Sequence, residues 1–377
     1  MITLREPLLS QASPALRLLL NCGAMGAPPE WEGAPEWDVF LALVRHHRLG
    51  PQVVRALSGQ PEVPPHITRA LTHEARTAAL RELTQAAELA RVATVLTTAG
   101  VPLLALKGPV EALLCRGALG RRPAVDVDVF IPPDAVDHAM YALGQAGWRT
   151  GPADSGPGGP RRARRDNHFG LHRGTCGPRV EVHWRFLRIH ADYPLTVDEA
   201  LAIAEPLTLA GCVVRTLPLV PRVLYLCAHG SHHCWDQVSR LLDIALYLSR
   251  GLPPEVGQDA ARMGLERPLL LAVSLAHHLL RAPVPAWLDQ ARAPGRAVVR
   301  LAARAVARWD TPISPPGGGF ARWDRLSYAL ALHQNGADRL AALTERLWRK
   351  LAPGPAPGPT PPARPPSDPT SYGERAG

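Results

Sequence analysis

Arg121-Arg122-Pro123-Ala124-Val125-Asp126-Val127-Asp128-Val129-Phe130-Ile131 is the stretch around which the chain is organised, together with Lys107-Gly108 just upstream. Asp126 and Asp128 alternate with Val125, Val127, Val129 and Ile131, the period of a β-strand, so both carboxylates share one face while the apolar residues fill the other. Asp is among the poorest strand formers, and like charges side by side on a sheet face repel. A divalent cation between them is the simplest remedy. Alternating apolar and Asp residues near the end of a strand suit the two-metal sites of phosphoryl transfer, because hard Mg²⁺ takes oxygen ligands from one or two carboxylates. An exposed edge strand with solvated acids is the competing reading.

The surroundings carry the argument outward. A short apolar strand over 102–106, a turn at Lys107-Gly108 and a helix over 109–115, with Pro109 in its permitted first turn, precede the acidic strand over 125–131. Pro132-Pro133 stops that strand. Asp134 is placed to cap a helix whose Ala135, Val136, Ala139, Met140 and Leu143 lie on one side, and Gly147 ends it before Trp148. The order is strand, phosphate-sized turn, helix, acidic strand, helix.

The segment 151–165 is rich in Gly, Pro and Arg, with Arg161, Arg162, Arg164 and Arg165 clustered, and reads as a mobile basic surface loop. Closure over a triphosphate and a plain solvated insertion are its two readings. The spans 168–172 and 179–186 then read as a hairpin, and Val180-Glu181-Val182-His183-Trp184 again sets an acid between valines. Glu181 is the natural third carboxylate. His183 points to the same face, either to orient an acceptor or act as a base, or as a satisfied histidine beside Trp184.

On either side the chain reads as helical. Helices are expected over 37–46 and over 66–99, the latter as one helix or a broken pair ended by Gly100. The Arg45-His46-His47-Arg48 segment is either an anion-binding patch or a helix end whose cations oppose the dipole. Further helices are expected over 238–248, 258–263, 268–281, 296–309 and 323–350, and the Pro-rich tail from 352 cannot form a packed core. The domain reading is an N-terminal helical region over 1–100, a core over 101–218, a helical region over 219–351 and a disordered tail over 352–377.

With 377 residues and 46% hydrophobic content, the chain is long enough for two or three domains with proper cores. A net charge of +9 and a pI near 9.7 permit an anionic partner, but the arginines are dispersed and few aromatics interleave with them, which argues against a nucleic-acid binder. Six cysteines without CxxC spacing suit reduced thiols. The longest apolar run, 268–280, is too short to span a bilayer and contains His277 and His278, and the first residues lack a signal-peptide pattern, so a cytoplasmic location without membrane attachment is expected.

Taken together, Lys107-Gly108, Arg122-Pro123-x-x-Asp126-Val127-Asp128, Gly147-Trp148 and Val180-Glu181-Val182-His183-Trp184 resemble the uncharacterised nucleotidyltransferase family of the DNA polymerase β-like superfamily. Downstream, His229-Gly230-Ser231-His232-His233-Cys234-Trp235 followed by Leu241-Leu242-Asp243-Ile244-Ala245 is similar to that family's helical region. The resemblance implies an α+β fold, a small mixed β-sheet core with flanking helices and an all-helical C-terminal region. It also implies two Mg²⁺ ions on Asp126, Asp128 and Glu181, and transfer of a nucleoside monophosphate from NTP to a small-molecule, peptide or protein acceptor with release of pyrophosphate. Lys107 and Gly108 stand where the superfamily has a Gly-Ser turn that receives the triphosphate. Here Ser is missing and Pro109 removes an N–H, which shifts phosphate contact onto the lysine.

Arg122 either reaches a phosphate or the carboxylates, or forms a structural salt bridge. His229 and His233 either face the acceptor or the core, or bind zinc with Cys227 and Cys234 nearby. Asp243 is either a buried or capping carboxylate or a catalytic group behind the metal ligands. The alternative to an enzyme is a nucleotide- or partner-binding module on the same fold, whose supporting feature is Pro109. Three crowded carboxylates without a metal argue against it.

Overall fold

Alternation of valines with polar residues in two segments produces the centre of a five-stranded sheet in the computed structural model, which describes residues 4–26, 28–151, 167–175, 177–310, 322–334 and 336–351. Its strands are β1 (Leu104–Leu106), β2 (Asp126–Phe130), β3 (Trp148–Thr150), β4 (His168–Arg173) and β5 (Arg179–His183), in the order β1-β2-β5-β4-β3. β2 and β5 are parallel and every other pairing is antiparallel, so the sheet is mixed. The register sets Asp128 beside Leu106 on one side and Glu181 on the other.

Each face of the sheet has its own partner. Ala105, Val127, Val129, Leu171, Val180 and Val182 are buried against the helices Pro65–Thr98 and Val136–Gln145, through Leu89, Val92, Leu96, Ala139 and Leu143 among others. Burial of one such Val or Leu side chain is worth about 1.5–3 kcal/mol, and this closed face makes the sheet a rigid platform. The buried indole of Trp148 donates to Glu88 Oε1 at 2.8 Å, tying β3 to the long helix. On the other face Leu104, Leu106 and Phe130 join a larger core with Phe186 and Tyr225, and the acids lie there too.

That larger core draws on helices from both ends of the chain. Leu16, Leu19, Phe40 and Leu43 are buried in one cluster with Leu271, Leu275 and Leu279. The join is reinforced by Met25 N–H donating to Leu280 O at 2.8 Å and by Ser13 Oγ donating to Asp310 at 2.5 Å. The five described cysteines are free. No helix of the described residues is long and apolar enough to cross a membrane.

The long segment after Pro64 is one helix, Pro65–Thr98, closed by Gly100 at φ 73°. Two expectations are corrected. Asp134 does not cap the helix Val136–Gln145, because it lies inside the 3-10 turn Pro133–Ala135 whereas a capping residue must be extended. The span 323–350 is two helices, Arg322–Leu332 and Gly336–Leu351. At the break Arg267 takes the carbonyls of Ala331 and His333 at 2.7 Å each, and Arg339 also bonds His333 O, so these acceptors no longer serve a helical ladder. The hairpin of β6 (Glu205–Leu209) and β7 (Cys212–Thr216) was not anticipated: Ala210 and Gly211 both have positive φ, a two-residue turn without the usual Asn-Gly signal. The basic loop from 152 to 165 and the tail from 352 lie outside the described residues.

The helix Leu219–His232 ends in a way that explains Gly230. Trp235 N–H donates back to Gly230 O at 2.8 Å, Cys234 and Trp235 adopt left-handed φ, and the fully buried Trp235 ring packs against the helix at Gly230. A Cβ at Gly230 would sit 2.5 Å from Trp235 Cη2, with two further ring carbons under 3 Å. Gly230→Ala is therefore expected to destabilise the protein by about 1–3 kcal/mol, as overpacking does in a tight core. Chemical denaturation checks this, and a midpoint equal to that of the unsubstituted protein would show that the ring has room to move.

Candidate active site

The chain leaving β1 passes directly beside Asp128, since Leu106 is its register partner. Lys107 follows with φ 58° and ψ −155°, a region populated almost only by glycine, before Gly108–Leu114 begins a helix. This reversal brings Lys107 Nζ to 2.8 Å from Asp128 Oδ1. The same ammonium donates to His229 Nε2 at 3.4 Å and lies 6.0 Å from the centre of the Tyr225 ring. Gly108, at φ 37°, completes the turn.

From the other side, the parallel pairing of β2 and β5 delivers Glu181 and His183. His183 Nε2 lies 3.0 Å from Asp128 Oδ1 and 3.2 Å from Glu181 Oε2, and its ring is stacked on Phe130, its register partner. Glu181 Oε1 is 2.9 Å from the Arg179 guanidinium and 3.8 Å from His168 Nε2. Asp126 differs from the other two acids. Among the described residues its carboxylate has no hydrogen bond or ion pair.

The titration of these groups follows from that asymmetry. Burial, then repulsion from Asp128, pushes Asp126 up to about 6. Burial acts the same way on Asp128, but Lys107 and His183 outweigh it and hold this carboxyl well below the usual range. Burial is likewise outweighed at Glu181, which is lowered by the His183 hydrogen bond, and at His183, which is raised by Asp128 and Glu181. His229 and His233 go the other way: burial, then Lys107 for the first and Arg240 for the second, push both well below the ordinary histidine value. Of the three imidazoles His183 is thus the one whose protonated form its neighbours favour, whereas the surroundings of His229 favour the neutral ring, which accepts from Lys107 at Nε2.

The fold brings Lys107, Gly108, Asp126, Asp128, Glu181, His183 and His229 to one place, with the ring of His233 4.6 Å from that of His229. Arg122 is placed elsewhere. Its Nε and one terminal nitrogen each lie 2.8 Å from Asp243 Oδ2, while Arg116 takes Oδ1 at 2.8 Å. Asp243 is buried, and burial of the Arg122 guanidinium is outweighed by that carboxylate, which raises its pKa. The guanidinium is committed to a buried salt bridge that anchors the approach to β2. His47, from the basic segment, is also structural: its Nδ1 accepts from Val238 N–H at 3.3 Å, its Nε2–H donates to Trp309 O at 2.8 Å, and burial pushes it down to about 3.

For a metal, the donors differ in kind. Asp126, Asp128 and Glu181 offer hard oxygens on one sheet face, the donor type that Mg²⁺ takes, and a cation would relieve the unpartnered, burial-penalised Asp126, although the ligand atoms of these three do not all lie within 4.8 Å of one another. Among the described residues, the set whose ligand atoms all lie within 4.8 Å of one another is His168, Glu181 and His183. No third ligand joins His229 and His233 in such a set among the described residues. His168 and Arg179 were missed in the sequence, although period-2 alternation with Glu181 and His183 was there to show Arg179. His168 becomes visible only through the register that pairs it with His183.

The family described as uncharacterised nucleotidyltransferase matches residues 33–281 of this chain. Neither a curated protein nor a solved structure matches it with significance.

Proposed function

Starting from the chain's place in the uncharacterised nucleotidyltransferase family, to which it belongs, we propose that it moves a nucleoside monophosphate group from an NTP to an acceptor and releases pyrophosphate. The observation that carries this reading is the buried Asp128, flanked on its own strand by Asp126 and in register by Glu181. Mg²⁺ held by these three carboxylates would supply charge neutralisation and alignment of the triphosphate.

The remaining steps belong to the protein's own groups. Lys107, released from Asp128, contacts the triphosphate as a point charge at the Gly108 turn. Its departure frees His229 Nε2, which as a neutral imidazole takes the acceptor's proton. The acceptor atom then bonds to the α-phosphorus while the bond from that phosphorus to the pyrophosphate oxygen breaks. His183 keeps Asp128 and Glu181 in place throughout. Arg122 is left out of phosphate binding, because removing it from Asp243 would strand a buried charge.

Titration calorimetry with each of the four NTPs, with and without Mg²⁺, tests the reading against an Asp126→Ala/Asp128→Ala double variant. Mg²⁺-dependent binding of an NTP that disappears in the variant is the expected result. Absence of NTP binding by the folded protein would count against it. Binding without any transfer of α-labelled nucleotide would favour the binding-module reading, which the neutralisation of Asp128 by Lys107 and His183 supports.

A further inference from the structure

The oxygen ligands of the site adjoin two imidazoles, a ligand type that Mg²⁺ does not favour. β4 and β5 are antiparallel neighbours with His168 directly opposite His183, so both rings stand on the acid-bearing face, 4.9 Å apart. Glu181 is on that same face of β5, and Asp128 reaches it across the parallel pair. We propose that His168, His183 and Glu181 form a mixed nitrogen and oxygen site for a borderline divalent transition ion of the Zn²⁺ type, with its fourth position left to solvent or substrate, beside the acids of β2.

The geometry supports this on three counts. In a tetrahedral site with metal–ligand bonds of about 2.0–2.1 Å, neighbouring donor atoms are about 3.3 Å apart. Here His183 Nε2 lies 3.2 Å from Glu181 Oε2 and His168 Nε2 lies 3.8 Å from Glu181 Oε1, and a ligand atom from each of the three residues lies within 4.8 Å of the others. The donors come from two adjacent strands, β4 and β5, not from a loop, so little conformational freedom is lost on binding. Outer contacts are also present: Phe130 fixes the plane of His183 and Arg179 bonds Glu181 at 2.9 Å.

Donor chemistry then selects the ion. Imidazole suits Zn²⁺ and its neighbours in the transition series, whereas Mg²⁺ demands oxygens in an octahedron. The side chains of His168, His183 and Glu181 are 21%, 12% and 14% exposed, enough for an ion to enter. As a role, the inference rests on the transfer reading, in which this set would hold one of the two cations; as a binding site, it stands independently.

Co²⁺ is the probe, since its visible absorption distinguishes tetrahedral coordination from the aquo ion. Metal-free full-length protein titrated with Co²⁺ is expected to show intense tetrahedral bands at one equivalent. Zn²⁺ should abolish them and excess Mg²⁺ should not. His168→Ala is expected to weaken Co²⁺ binding at least about 100-fold, the upper end of what losing even an outer partner costs, and His229→Ala to leave it unchanged. His168→Gln, which keeps a polar side chain, guards against a packing effect, with circular dichroism confirming the fold of each variant. Only the aquo spectrum in the unsubstituted protein, equal binding by His168→Ala, or displacement by Mg²⁺ at matched concentration would overturn the site. NTP binding with Mg²⁺ alongside a failed Co²⁺ titration would leave the transferase reading standing. Co²⁺ bands without NTP binding would leave the metal site standing instead.

Discussion

Asp128→Asn is expected to lower nucleotidyl transfer at least about 1,000-fold, equivalent to about 4 kcal/mol of barrier, because the substitution keeps the shape and removes the charge on which the site converges. It should also destabilise the protein. Lys107 and His183 both lean on Asp128, and neutralising it leaves a largely buried ammonium without its counter-charge. Asp126→Asn separates the two effects. Asp126 has no partner among the described residues and suffers from burial and from Asp128, so its neutralisation is expected to raise the melting temperature of the metal-free protein while still abolishing transfer. Label transfer from α-labelled NTP and thermal unfolding on the same two variants provide the check. Near-normal transfer by Asp128→Asn, or equal loss of stability in both variants, would contradict the assignment.

Asp243→Ala is the substitution with the largest expected effect on stability, about 3–5 kcal/mol, since it strands two buried guanidinium groups facing one another. Arg116 and Arg122 both bond this carboxylate, at side-chain exposures of 5% and 12%. The exposed pair Arg45 and Glu74 makes a useful contrast, for which removal of Glu74 should cost less than about 1 kcal/mol. Urea denaturation measures both. If Asp243→Ala cost no more than the exposed pair, the bridge would not be what anchors the approach to β2, and Arg122 would again be open to a phosphate role.

Much of the sheet was legible because it rests on bonded neighbours. The alternation around Asp126 and Asp128, and again around Glu181 and His183, assigns each side chain to a face through a period that sequence alone carries. Proline and glycine stops placed the ends, as at Pro132-Pro133 and Gly100. Where local signals were weak or misleading the reading failed: Ala210-Gly211 turns a hairpin without an Asn-Gly cue, and Asp134 has a capping side chain but not a capping backbone.

The sequence by itself determined that two acidic strands exist, which face their carboxylates share, and that Lys107-Gly108 makes a turn just before them. Only the tertiary structure decided that β2 and β5 are parallel neighbours in the register that sets Glu181 beside Asp128. It also decided that His168 faces His183 across β4 and that Arg122 is bound to Asp243, 121 residues away. The physical reason is that facing within a strand follows from backbone geometry a few residues long. Strand order and ion-pair choice depend instead on burying a whole sheet face against the helices Pro65–Thr98 and Val136–Gln145, an energy summed over many distant residues.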